Sequence, residues 1–305
     1  MVSRDDVMRA QLTVARHLAP TPLLGSSTLG ARLKCELFQH TGSFKSRGAL
    51  CKLASLDQAE RRRGVIAISA GNHAQAVAYA AAVHGVDALV VMWRGASEQK
   101  IAATRGYGAA VDLESDGPSA AFERLALLRE QTGRTLVHPF DDEVVIAGAG
   151  TVGLEIEIDA PDADVVVVPV GGGGLITGVA AALVPLGVRV VAVEPQASPA
   201  LHAAIEAGAP VAVETGSIAD GLNAPFAGGL ALAACRELER VLVSEEEIAE
   251  AFRFLYQRAK LACEPAGAAA VAALLSGRVH GDAPVAIVSG GNVAAQTASG
   301  ILASR

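Results

Sequence analysis

Four consecutive valines, Val165 to Val168, run into four glycines, Gly171 to Gly174, and then into an apolar stretch, Leu175 to Leu183. A short run of β-branched residues suits a strand buried on both faces, and the glycines mark a tight strand-to-helix junction. Such a strand needs helices on both sides of its sheet, so this one unit already points to a parallel α/β architecture. The same grammar recurs along the chain. Leu33 to Phe38, Val65 to Ile68, Val86 to Met92, Ala109 to Leu113, Leu136-Val137, Val188 to Val193, Val241 to Val243 and Val285 to Val288 read as further strands. Thr21 to Leu24 reads as extended, because Pro22 biases the residue before it away from helix.

Helical segments lie between the strands. Residues 4–17, Ala49 to Arg63 (stopping at Gly64) and Ala76 to His84 are predicted helical. Another follows Ser97 and carries Lys100, Ile101 and Thr104; the next carries Phe122, Leu125 and Leu128 and ends at Gly133. Ser244-Glu-Glu-Glu247 has a capping-box pattern ahead of an apolar face at Ile248, Ala251, Phe252 and Leu255. The expected fold class is therefore α/β, with two open parallel-type sheets flanked by helices. Breaks near residues 55–64 and 138–142 place a small domain, 55–141, within a large domain made of 1–54 and 142–305.

Composition excludes several partners. Apolar residues make up 51% of the 305 and aromatics only 4%, so Ala, Val, Leu and Ile have to fill the core. With a net charge of −7 and no basic run beyond Arg61-Arg62-Arg63, a nucleic-acid surface is not expected. Val165 to Val188 is uncharged and long enough to span a bilayer, yet four glycines, Pro169 and Pro185 interrupt it. No membrane segment is predicted. Cys35, Cys51, Cys235 and Cys263 lack CxxC spacing, so free thiols in a reducing compartment are expected, and neither a zinc site nor any other metal site. Met1 to Gln11 has no apolar signal segment, which together with the thiols predicts a cytoplasmic protein.

The chemistry concentrates at strand ends. Thr41-Gly-Ser-Phe-Lys-Ser-Arg-Gly48 sets Lys45 among small residues with no carboxylate in the stretch, a setting in which desolvation releases the amine as a nucleophile. Gly171 to Gly174 lets backbone N–H groups converge at a helix start, where a phosphate binds well. Two strands echo each other, Val65 to Asn72 and Val285 to Asn292, each ending in Ser-x-Gly-Asn. Ligands in open α/β sheets sit beyond the carboxyl ends of strands, so these tips form two walls of one expected site. A competing pattern is Gly148-Ala-Gly-Thr-Val-Gly153, which matches GxGxxG, with Glu194 at the end of a later strand. It leaves an NAD-dependent oxidoreductase as a distant alternative, and a non-catalytic binder of a phosphorylated ligand as another.

Thr21-Pro-Leu-Leu24, the Lys45 segment, Ser69-Ala-Gly-Asn-His-Ala-Gln75, Gly171 to Leu175 and Ser289-Gly-Gly-Asn292, in this order, resemble the fold-type-II pyridoxal-phosphate enzymes, within them the serine/threonine dehydratase and serine racemase group. Ser97 to Arg105 and Ser217-Ile-Ala-Asp-Gly221 fit the same group, so the likeness runs from about Pro20 to Asn292. The resemblance implies a tryptophan synthase β-like fold and a set of roles. Lys45 would hold pyridoxal 5'-phosphate covalently and then move the α-proton, with Phe44 packed near the ring. Asn72 would bond the ring hydroxyl, Gly171, Gly172, Gly173 and Gly174 the phosphate, and Ser289 the pyridine nitrogen. A serine there, unlike a carboxylate, leaves the ring neutral, which favours β-elimination. Ser69, Ala70, Gly71, Asn72 and His73 would bind the substrate carboxylate.

The implied activity is dehydration and deamination of L-threonine or L-serine to a 2-oxo acid and ammonia, with a small hydroxy-amino acid as substrate and a homodimer as the assembly. Serine racemase and 3-hydroxyaspartate dehydratase are the alternatives within the group. Racemase relatives carry a serine where this chain has Ala70, which favours the dehydratase. Some relatives hold a divalent metal through a glutamate at position 194 and an aspartate six residues on; position 200 here is Ala200, and no metal is carried over. An effector domain at the C-terminus, found in regulated members, is not expected.

Overall fold

The computed structural model describes residues 1–304. Its strands, in chain order, are β1 (Leu23–Ser26), β2 (Ala31–Cys35), β3 (Val65–Ile68), β4 (Ala88–Trp93), β5 (Ala110–Ser115), β6 (Thr135–Leu136), β7 (Val165–Pro169), β8 (Arg189–Pro195), β9 (Glu239–Val243) and β10 (Val285–Val288). They build a six-stranded sheet in the order β1-β2-β10-β7-β8-β9 and a four-stranded sheet in the order β5-β4-β3-β6. Every pairing is parallel except β1 with β2. Only four residues separate those two strands, too few for a crossover, so they close as a hairpin, with Gly30 at φ +66° in its turn.

β7 shows why the central strands are continuously apolar. Val166 and Val168 enter the cluster on one face of the large sheet, with Ile176, Val179 and Ile287, while Val165 and Val167 enter the cluster on the other, with Phe252, Val271 and Val288. All four side chains are fully buried, each stabilising the fold by roughly 1.5–3 kcal/mol relative to exposure.

Local structure departs from the sequence expectation in four places. β2 stops at Cys35, and Glu36–Phe38 is a 3₁₀ turn where a strand is predicted to run to Phe38. The helix predicted over Ala49 to Arg63 is two helices, Lys45–Ser55 and Gln58–Arg63. Asp57 separates them by accepting from the Glu60 N–H while the Glu60 side chain accepts from Asp57 N–H, a capping box that restarts the helix. The helix after β3 starts at Asn72 and not at Ala76, because Gly71 ends the extended chain and Asn72 and His73, poor helix formers, make the first turn. The GxGxxG pattern lies inside helix Glu143–Asp159. There a Cβ on Gly148 would meet Gly48 Cα at 2.7 Å, one on Gly150 the Gly178 carbonyl at 2.7 Å, and one on Gly153 Ala182 Cβ at 2.8 Å. These glycines let three helices touch, so the dinucleotide reading loses its basis.

Beneath helix Lys45–Ser55 lies a cluster of buried charges. Arg47, fully buried, donates to Glu36 Oε2 at 2.8 Å and Oε1 at 2.9 Å, to Glu155 Oε1 at 2.6 Å and Oε2 at 2.9 Å, and to Thr151 Oγ1 at 3.1 Å. Lys34, equally buried, pairs with Glu155 at 2.8 Å and donates to the Thr21 carbonyl at 2.8 Å. Two cations and two carboxylates thus tie β2, helix Lys45–Ser55 and helix Glu143–Asp159 together.

Candidate active site

The carboxyl ends of β2, β3, β7 and β10 feed the segments that carry the candidate residues. After β2 the chain reverses through Thr41 and Gly42, at φ +64° and +72°, and enters the helix that begins with Lys45. Helix Lys45–Ser55 packs on helices Asn72–His84 and Glu143–Asp159. The tip of β10 locks onto this turn: Phe44 N–H donates to the Ser289 carbonyl at 3.2 Å, and Ser43 bridges to Gly290.

The Lys45 amine lies in a cleft lined by Phe44, Gly48, Pro139, Val145, Ala149 and Gly174. It donates to the Pro139 carbonyl at 2.7 Å and stands 5.1 Å from the centre of the Phe44 ring. Desolvation pulls its pKa down to about 8, against a smaller opposing effect of Glu264. An amine held there is partly unprotonated near neutrality, as a nucleophile or a base at carbon requires.

Gly171 to Gly174 form a cradle whose middle two positions leave no room for a side chain. A Cβ on Gly172 would stand 2.3 Å from the Phe140 ring, and one on Gly173, at φ +94°, 2.3 Å from Ala231 Cβ. No side chain caps helix Gly174–Leu183, whose first N–H groups have no partners within the helix. Such a terminus suits a phosphate. Polar oxygens buried without partners, Thr41 Oγ1 and Ser43 Oγ, flank the lysine turn. The residues present therefore fit a phosphorylated aldehyde whose anionic end meets the glycines and whose carbonyl meets Lys45.

The wall opposite is a polar chain. Asn72 Nδ2 donates to Glu264 Oε1 at 2.7 Å, and Asn292 Nδ2 donates to Asn72 Oδ1 at 2.8 Å and to the Thr41 carbonyl at 2.6 Å. Glu264 is buried; desolvation first, then the charge of Asp220, pushes its pKa up to about 7, against the Asn72 hydrogen bond and Lys100. Ser69 Oγ accepts from Gly71 N–H at 3.1 Å, and the N-terminus of helix Asn72–His84 has no side-chain cap. Ala70 packs its methyl against the core of the small sheet. His73 turns inward: its Nε2 donates to the Val137 carbonyl at 2.8 Å, and burial, then Lys45, lower its pKa to about 3. Its ring braces a wall, leaving only its backbone for a ligand. Glu194, another buried carboxylate, accepts from Leu201 and His202 N–H at 2.7 and 2.9 Å and so caps helix Ala200–Ala207. Among the described residues no cluster of three His, Cys, Asp or Glu is arranged to hold a metal ion.

Sequence reading missed the segment His138 to Asp141. It is a domain break in the linear pattern, yet Pro139 receives Lys45, and Phe140 covers Gly172 while packing edge-on to His138 and Phe226. His138 Nδ1 accepts from Phe140 and Asp141 N–H, and the Asp141 carboxylate accepts from Gly229 and Leu230 N–H. The local signal is His138-Pro-Phe-Asp141 directly after a strand, polar residues enclosing a Pro-Phe pair.

Comparison with known proteins agrees with this geometry. The family described as pyridoxal-phosphate dependent enzyme matches residues 14–291. An L-threonine ammonia-lyase of Thermotoga maritima is 44% identical, the match covering 96% of this chain and 76% of the relative. The catabolic L-threonine dehydratase TdcB of Escherichia coli K12 is 42% identical over 96% of this chain and 93% of its own. Among solved structures, maize serine racemase superposes with a TM-score of 0.92 at 33% identity, covering 97% and 95% of the two chains. The threonine deaminase of T.th. superposes with a TM-score of 0.90 at 40% identity, covering 96% and 99%.

Proposed function

Because this chain belongs to the pyridoxal-phosphate dependent enzyme family, we propose that it is an ammonia-lyase that converts L-threonine, L-serine or both to a 2-oxo acid and ammonia. The observation that carries the reading is the Lys45 amine, its pKa pulled down to about 8, on a residue that lines one cavity together with Gly174 of the glycine run. Pyridoxal phosphate, when bound, supplies an electron sink for the pair left at Cα when the α-proton departs.

This chain's residues do the rest. Lys45 accepts the α-proton, and the Pro139 carbonyl holds its amine when it is not otherwise bonded. Gly171 to Gly174 and the N-terminus of helix Gly174–Leu183 hold the phosphate. The uncapped start of helix Asn72–His84, with Ser69, Ala70, Gly71, Asn72 and His73 leading into it, receives the substrate carboxylate through backbone N–H groups. Phe44 would lie beside the cofactor ring, and Phe140, packed over Gly172, would keep water from the cradle. Asn72 would bond the ring oxygen and Ser289 the ring nitrogen. Loss of the β-hydroxyl removes one water, and hydrolysis of the enamine returns one, so the net products are ammonia and the 2-oxo acid.

Ala70 supports elimination over racemisation, since no hydroxyl stands there to protonate the opposite face. We assign residues 55–141 to a small body carrying the substrate loop. The four buried free thiols fit a reducing cytoplasm, and a homodimer would cover some of the exposed apolar side chains, among them Leu12 and Ile158. The test is product analysis. Wild-type protein with pyridoxal phosphate releases ammonia and 2-oxobutyrate from L-threonine, and Lys45→Ala loses both this and the cofactor's visible absorption band. D-serine as the sole product from L-serine would overturn the assignment.

A further inference from the structure

Asn72 is a site residue whose usefulness depends on which way round it lies. One end of its amide accepts hydrogen bonds and the other donates two. Three neighbours settle the orientation. A backbone carbonyl can only accept, so the Asn292 atom 2.6 Å from the Thr41 carbonyl is the nitrogen. That nitrogen also reaches Asn72 at 2.8 Å, which makes the facing Asn72 atom its oxygen. The Asn72 nitrogen then points the other way and donates to Glu264 Oε1 at 2.7 Å. Each link forces the next, from residue 41 through 292 and 72 to 264.

Glu264 is well suited to end this relay. Its Oε1 accepts from the Asn72 nitrogen, and because the Thr41 carbonyl fixes the other end of the relay, the direction holds whether or not the second carboxyl oxygen carries a proton. It is held in place by packing: a Cβ on Gly290 would come within 2.4 Å of Oε1, and one on Gly221 within 3.5 Å. It is 2% exposed. The charged groups that couple to it are the Lys45 amine and the Lys100–Asp220 ion pair of 2.6 Å that joins the helix Glu98–Gly106 to the turn at Asp220–Leu222. With one N–H engaged by Glu264, Asn72 keeps a second.

We propose that Glu264 and Asn292 are positioning residues that fix the Asn72 amide so that its remaining N–H, and never its oxygen, faces the cofactor. The atom it meets is then an acceptor, the ring oxygen of pyridoxal phosphate. This rests on the reading that Asn72 contacts the ring, and the experiment separates the two. Apoprotein is titrated with pyridoxal phosphate, and the position of the cofactor's visible band is recorded, for wild type, Asn72→Ala, Glu264→Ala, Glu264→Gln and the double variant Asn72→Ala/Glu264→Ala, each checked by thermal melting.

Glu264→Ala is expected to weaken cofactor affinity about tenfold and shift the band, and Glu264→Gln, which keeps an acceptor, to restore affinity to within about threefold. In the Asn72→Ala background, Glu264→Ala should add no more than about twofold, because the Asn72 route is gone and only the smaller effect of the carboxylate on the Lys45 amine remains. Should Glu264→Ala not fold, Asn292→Ala is run in the same cycle. Equal losses from Glu264→Ala with and without Asn72, or an unchanged affinity and band in an otherwise intact Asn72 protein, would overturn the positioning role. An Asn72→Ala protein that binds and absorbs like wild type would instead refute the ring contact itself.

Discussion

Two buried carboxylates, Glu155 and Glu264, sit on either side of Lys45 and behave in opposite ways. Burial alone would raise the pKa of both. At Glu155 the hydrogen bonds and charge of Arg47, then those of Lys34, overcome that effect and hold it below the usual range. At Glu264 the partner is the neutral amide of Asn72, Asp220 adds repulsion, and the pKa rises to about 7. Behind the lysine, each buried carboxylate faces a cation, and these pairs hold three elements together. In front of it, Glu264 forms no ion pair among the described residues and is met by neutral donors, the Asn72 amide and the backbone N–H of Asn292. A buried ion pair is a poor guide to function on its own; a buried carboxylate met only by neutral donors is a better one.

The comparison breaks first at Arg47. Arg47→Met strands Glu36 and Glu155 with Lys34 alone, and is expected to destabilise the protein by about 3–5 kcal/mol in denaturant melts at neutral pH. The deficit should shrink on acidification, since a carboxylate with a depressed folded pKa contributes stability above its unfolded pKa and loses it as pH falls. A cost below about 1 kcal/mol would mean that the matched cluster is not what holds the lysine helix.

Glu264→Gln should act in the opposite sense. A carboxyl whose folded pKa is raised from 4.5 to about 7 binds its proton more tightly in the fold, so wild-type stability falls as pH climbs through that window. Glutamine escapes the penalty. Melts of the apoprotein should therefore favour the variant at about pH 8 relative to about pH 5, by up to about 3 kcal/mol. A variant that instead loses ground to wild type at about pH 8 would place Glu264 with Glu155, and a pH-independent difference would mean that the fold does not shift this carboxyl.

The smallest effect belongs to Lys100→Ala. Its partner Asp220 is 55% exposed, so losing the pair should cost under about 1 kcal/mol, and less at high salt. Because Lys100 opposes the rise at Glu264, the pH dependence just described should move upward in this variant. An unmoved profile would detach the ion pair from Glu264.

Much of this site lies in plain view along the chain. Lys45, Asn72, the four glycines and Ser289 sit at strand ends that hydrophobic runs and glycines mark, and the structure brings Lys45 beside Gly174 and the Ser289 carbonyl onto Phe44. The capping box at Asp57 and Glu60 was also written in four residues and was overrun by the helical pattern around it. Gly148 to Gly153 misled because glycines that admit a phosphate and glycines that admit another helix look alike until the neighbour is known. Pro139 acts through its backbone carbonyl, which carries no side-chain signature at all.

Alternating burial, turn chemistry and strand-end polarity are short-range properties, and from them the sequence by itself determined a parallel α/β scaffold with a lysine and a phosphate cradle at its strand ends. The pairing of Asn72 with Glu264 across 192 residues, of Arg47 with Glu155 across 108, and of Lys45 with Pro139 across 94 was decided only by tertiary structure. The physical reason is that desolvation and hydrogen-bond direction belong to neighbours in space. A carboxylate becomes a base, a brace or an orienting acceptor according to what the fold sets against it.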